Sequence, residues 1–197
     1  MKEIICSAGL TVALLTAISL PVHAETNMWG GSPSRNQVSA EKKLPTSWNA
    51  ETSANIKWQV PLGSQTYGGP LVVDDKIFVG TNNQSERNPK HKGDRGVIMA
   101  FNLSDGAFLW QIAHAKLPAG RVNDWPQQGV CSTPYVENDR LYYISNRAEV
   151  VCLDTEGFLD GENDGPITSE TDSEKIDGDL IWKYDMLAEL DRGVEWA

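Results

Sequence analysis

The sequence predicts an all-β fold made of repeated units of four short antiparallel strands, and three observations carry that expectation. Asp105-Gly106 followed by Trp110 returns as Asp177-Gly178 followed by Trp182, so the pattern Gly, three residues, Trp marks the same place twice. Pro70 and Asp75 recur as Pro134 and Asp139 at one common spacing of 64 residues. The runs between these markers alternate as half-buried strands do, and helical texture is nearly absent before Asp185–Leu190. Short strands repeated at a period of several tens of residues are the signature of propeller blades. A β-sandwich made of two meanders is the alternative that the same strands allow.

The chain opens with Lys2, an apolar run from Ile4 to Leu20 and the small-x-small sequence Val22-His23-Ala24. This reads as a secretory signal peptide over 1–24, against the alternative of a buried or membrane-spanning N-terminal helix. The expected mature chain is exported, to the periplasm or beyond, and has no second apolar stretch of spanning length. Its formal charge of −10 is unchanged by cleavage, because Lys2 and Glu3 leave together. With a pI near 4.7 it repels phosphate backbones, which excludes nucleic acid as an expected partner and argues against a bare anionic membrane.

From 25 to 54 the chain reads as an extended entry segment, rich in Gly, Ser and Pro around Trp29-Gly30-Gly31-Ser32-Pro33. Partial-propeller texture runs over 55–197. Ile56–Leu62, which contains Trp58, alternates as one extra strand with no partner before it in sequence. Blade one is expected over about 63–113. Its inner hairpin runs from Pro70 through the turn Asp74-Asp75 to Val79, followed by the polar, basic loop Asn82–Arg95, the strand Val97–Phe101, and the turn that leads to Trp110. Blade two is expected over about 127–185, with Gln128–Val136 entering its first strand, Leu141–Tyr143 the second, Val150–Leu153 the third, and Trp182 closing the fourth. An insertion at about 155–176, absent from blade one, precedes that last strand.

These residues resemble the PQQ-like, or quinoprotein-type, repeat of bacterial extracytoplasmic β-propellers. The resemblance rests on the two turn-to-Trp markers, on the inner hairpins Pro70–Val79 and Pro134–Ile144, and on the leader Trp29–Asn36. It implies that Trp58, Gly106, Trp110, Gly178 and Trp182 are structural blade markers. The family holds quinone-dependent alcohol dehydrogenases, an outer-membrane assembly lipoprotein and many proteins of other roles, so fold alone does not choose a function. The dehydrogenases place their cofactor near adjacent paired cysteines, and this sequence has no Cys-Cys. PQQ is therefore not expected to bind this chain by itself. Two blades cannot close a ring, so the chain reads as a piece of a longer propeller whose missing blades, or another chain, complete it.

Chemistry is expected in two places. Asp124, Trp125, Gln128 and Cys131 lead into the innermost strand of blade two and so belong to the channel face, where polar and aromatic groups meet ligands; His114 and Arg147 are outer candidates. In the insertion, Asp160, Glu162 and Asp164 alternate and Gly165 stands at the sixth position, the pattern of a calcium loop, although position seven is Pro166 and position twelve Thr171. A solvated acidic loop is the plainer reading. Cys131 and Cys152, on the first and third strands of one blade, would lie about 10 Å apart and stay unbridged within it. His91 and His114 lie near no nucleophile turn, so no catalytic residue is assigned. The first functional expectation is a binding or scaffolding module for a protein or small molecule, and the alternative is part of a PQQ-dependent dehydrogenase. The basic loop Asn82–Arg95 is expected to be solvated, or to meet the acidic insertion of the neighbouring blade.

Overall fold

The computed structural model describes residues 27–36, 41–118 and 124–189; the expected leader 1–24 lies outside the described residues. Strands β1 (Leu71–Val73), β2 (Lys76–Asn82), β3 (Arg95–Asn102) and β4 (Phe108–Ala115) form one antiparallel sheet in chain order. β5 (Tyr135–Glu137), β6 (Arg140–Ile144), β7 (Glu149–Asp154) and β8 (Leu180–Asp185) form the second. A single turn of helix, α1 (Met186–Glu189), follows. These are two blades of an all-β propeller architecture, and two blades make only part of a ring.

The repeat is visible at the level of single residues. Asp74 and Asn138 both take left-handed backbone, at φ 52° and 55°, in the turns joining the first two strands of each blade. Asp and Asn tolerate that region best among residues with a Cβ, which accounts for their presence at this spacing. Each third strand carries a bulge at the same place, Ala100/Phe101 in blade one and Cys152/Leu153 in blade two. Trp110 faces Ala100 and Trp182 faces Cys152, so the two tryptophans occupy equivalent positions.

The blades pack face to face. Leu71, Phe78, Ile98, Ala100 and Trp110 from the first meet Val136, Leu141, Tyr143, Val151 and Leu153 from the second in one apolar core. The opposite face of blade one, with Val79, Val97, Met99 and Phe101, is covered by Val60 and Leu62. Ile56–Leu62 makes no ladder in this structure, as expected of a strand whose partner blade is not among the described residues. No described strand lies beside it to form a ladder, and its side chains hold it instead. Trp58 Nε1 donates to the Leu103 carbonyl at 3.1 Å, and a Cβ on Gly106 would come within 2.7 Å of the Trp58 ring.

Trp110 repeats this docking one blade later. Its Nε1 donates to the Thr155 carbonyl at 3.2 Å, and its ring lies against Gly157 and Gly178. Gly106 and Gly157, both at positive φ, are places where a side chain would strike a tryptophan. The first strand of blade two is also shorter than its sequence suggests. Pro134 has no N–H for a ladder, and Gly129 turns the chain at φ 73°, so regular pairing begins only at Tyr135. Cys131 consequently precedes β5 instead of lying on it, and both Cys131 and Cys152 are free thiols.

Candidate functional site

At the end of the blades where β2 and β4 finish, the segment 124–134 crosses from blade one to blade two. Val130 N donates to the Thr81 carbonyl at 3.1 Å, and Gly69 N donates to Thr133 Oγ1 at 2.9 Å. Asn82 organises the junction: its Oδ1 accepts from Ser64 N and Gln84 N, and its Nδ2 donates to Ser64 Oγ and to the Gln127 carbonyl. A fully buried amide with all its capacity used fixes three chain segments at once.

The four channel-face candidates separate into different roles. Asp124 is turned inward, its side chain 1% exposed, with Lys116 at Oδ1 and with Leu117 N at 2.7 Å and Asn146 Nδ2 at 3.1 Å donating to Oδ2. It ties the end of blade one to blade two and leaves little for a ligand. Trp125 is 65% exposed, and its backbone closes a turn with Gln128, whose Oε1 accepts from Trp125 N at 3.3 Å. Cys131 is exposed, with Sγ 3.8 Å from the Gly129 carbonyl. Arg147 donates to the carbonyls of Ala115 and Lys116, so it binds the blades together. His114 is buried: its Nε2 lies 2.6 Å from Tyr143 Oη, and its Nδ1 is 3.7 Å from Glu149 Oε2. Burial pulls the His114 imidazole down to about 4 despite Glu149, and it pushes the Tyr143 phenol well up. Both are uncharged at neutral pH and belong to the inter-blade core.

Beside Gln127 lies an open cavity of about 270 Å³ lined by Asn82, Asn83, Gln84, Glu86, Gly93, Asp94 and Gln127. No apolar and no cationic side chain lines it. These residues come chiefly from the loop between β2 and β3, which its Lys and Arg content marks in the sequence as a basic surface. The folded loop instead presents its two carboxylates here. The only sequence signal for it is the amide-rich run Asn82-Asn83-Gln84 at the end of a strand.

The rest of that loop does meet the acidic insertion. Lys90 Nζ lies 3.0 Å from Glu174 Oε1 and 3.6 Å from Asp172 Oδ1, and His91 Nε2 is 3.2 Å from Asp172 Oδ2. Asn88 Nδ2 donates to buried Asp177 Oδ1 at 2.6 Å. Asp177 sits on the insertion's last turn, bonded through its neighbours to Gln111 of β4: Gln111 N donates to the Ile176 carbonyl, and Gly178 N donates to the Gln111 carbonyl, each at 2.9 Å.

Of the expected calcium-loop residues, Asp160 and Asp164 each have a protein partner in this structure. Asp160 Oδ1 accepts from Glu162 N at 2.9 Å, and Asp164 Oδ2 turns to Arg140 Nη1 at 3.5 Å. Among the described residues no three His, Cys, Asp or Glu side chains are placed to hold a metal ion. Pro166 stands where a seventh-position backbone ligand would, and Thr171 replaces a closing Glu; Asp160 bonds the loop's own backbone and Asp164 pairs with Arg140.

Residues 89–182 match the family model described as outer membrane protein assembly factor BamB, a PQQ-repeat model. No curated protein matches the chain. Among solved structures, BamB from Moraxella catarrhalis is similar at 19% identity with a TM-score of 0.41, over 66% of this chain and 28% of that one. The chain thus spans a little over a quarter of that relative's length.

Proposed function

We propose that this PQQ-like repeat chain is a binding or scaffolding module of an exported propeller, completed by further blades and presenting its channel face to a partner. The observation that carries the reading is the contrast between two equivalent tryptophans. Trp110 is fully buried by the following blade, whereas Trp182, in the same register, is 38% exposed. Around Trp182 stand Tyr142, at 6.1 Å between ring centroids, Tyr135 stacked on Tyr142 at 6.0 Å, and Tyr184, 41% exposed. A row of aromatics across a sheet face is what one blade offers another, and it is costly to leave in water. The family model's description, an assembly factor, agrees with a protein-binding role. The leader expected over 1–24 from the sequence supports export, and among the described residues no helix is long and apolar enough to cross a membrane.

A photoreactive amino acid placed at Trp182 in the natural host tests the reading. Cross-linking to a further blade, in the same chain or in another, is the expected product, and a face that captures nothing while the protein is folded would sink the proposal. The dehydrogenase alternative has a separate assay. Adding PQQ, calcium and alcohols or sugars to the chain should give no dye reduction.

A further inference from the structure

We infer that the polar cavity at the end of β2 receives an arginine side chain of the protein that docks on the channel face. The inference rests on the binding-module reading and names the chemistry that its face would select.

Four observations converge on it. The cavity's lining holds two carboxylates and four amides, with neither a cation nor an apolar side chain. Glu86 Oε1 accepts from Gly93 N at 3.0 Å and Asp94 Oδ2 accepts from Gln127 N at 2.7 Å, and neither carboxylate makes any other hydrogen bond or ion pair among the described residues. Lys92 and Arg95 flank Asp94 in sequence, yet neither pairs with it; Arg95 Nε instead donates to the Lys92 carbonyl. Asn83, only 2% exposed, uses its Nδ2 on the carbonyls of His91 and Gly93 and leaves Oδ1 buried without a partner.

A buried carbonyl oxygen without a donor is costly, and two carboxylates with no cationic partner among the described residues raise the negative potential at the cavity. What the site lacks is a donor-rich cation. A guanidinium supplies five N–H groups in a planar fork, which can meet a carboxylate and an amide oxygen together, and a compact ammonium cannot span them in the same way. A volume of about 270 Å³ admits such a group with accompanying water. The turn that carries Gln127 also carries exposed Trp125, an aromatic surface suited to the apolar stem of an arginine or to its guanidinium face. The chain's net charge of −10 favours a basic partner at long range.

The test is a titration of the full chain, followed by amide NMR, with a blocked Gly-Arg-Gly peptide and with its citrulline counterpart. The arginine peptide should move the amide signals of Asn83, Gln84, Gly93 and Gln127 saturably, and the citrulline peptide should not. Glu86→Gln and Asp94→Asn keep an oxygen for Gly93 N and Gln127 N, so both should fold with spectra unchanged elsewhere. Each should weaken the peptide by roughly tenfold, the worth of one charge-assisted hydrogen bond. Equal binding of the citrulline peptide, or undiminished binding by both variants, would overturn the inference. So would tighter binding of free L-arginine than of the blocked peptide, which would assign the cavity to a small metabolite. Calcium producing the same shifts in the wild type, and none in the variants, would equally overturn it by making this a cation site. Cross-linking at Trp182 does not involve this cavity, so a failed titration beside a successful cross-link would reject the arginine pocket alone.

Discussion

Trp110 and Trp182 occupy one structural position and differ only in what lies against them, so they separate intrinsic from contextual stability. Removing Trp110, sealed against Gly157, Gly178 and Phe78, should cost about 3–5 kcal/mol in chemical denaturation. Trp182→Ala should cost only about 1 kcal/mol in this chain, because one face of its ring is already in water. Two titratable residues give the molecule opposing pH responses. His114 has a folded value near 4, below its usual 6.5, so the unfolded chain takes up that proton first. Its contribution is complete above about pH 6.5 and is lost as the pH falls towards 4. Asp179 goes the other way. Burial, helped by Glu170, Asp154 and Asp164, raises it to about 6 against the hydrogen bond from Asp164 N, and its Oδ1 has no partner. The folded state therefore holds this proton more tightly than the unfolded one, and stability is lost as the pH rises from about 4 through 6. Thermal melts across pH 4 to 8 should show His114→Gln flattening the acid limb, while Asp179→Asn gains on the wild type above pH 6.

At the scale of elements, the two blades have put their long connections in different places, β2 to β3 in the first and β7 to β8 in the second, and these two loops lock together. Most of that lock is exposed. Lys90 with Asp172 and Glu174 is a surface pairing that salt screens, so Lys90→Ala should leave the melting temperature nearly unchanged at physiological ionic strength. The buried part carries the energy. Asn88→Ala leaves the Asp177 carboxylate short of a donor where it cannot reach water, and it should cost about 1–3 kcal/mol. The same loop shows where sequence reading reaches its limit. Its basic residues predict contact with an acidic neighbour, and that contact forms. Its carboxylates carry no such mark, and only the way the hairpin folds over Gln127 gathers them around a cavity.

The described residues form two sheets packed on one face, with the outer face of blade one covered by Val60 and Leu62 and that of blade two presenting Tyr142, Trp182 and Tyr184 with no other described strand against it. An uncovered aromatic sheet face drives association. Sedimentation velocity should find this chain self-associating as its concentration rises, and Trp182→Lys should return it to monomer. A chain that stays monomeric at every concentration would mean that the face is tolerated in water and that no further blade is required to cover it.

The sequence by itself determined the blade pattern, because strand alternation, Asp and Asn at left-handed turns, and the Gly-to-Trp spacing are local demands that each residue satisfies alone. It determined the equivalence of Trp110 with Trp182 for the same reason. Tertiary structure decided everything that depends on which segments meet. It decided that Ile56–Leu62 covers a face without pairing to a described strand, that Asp124 is a buried tie, that Asp160 bonds its own loop while Asp164 pairs with Arg140, and that Glu86 and Asp94 share a cavity. Burial and charge proximity are properties of the packed chain, and residues far apart in sequence acquire them only when the blades close on each other.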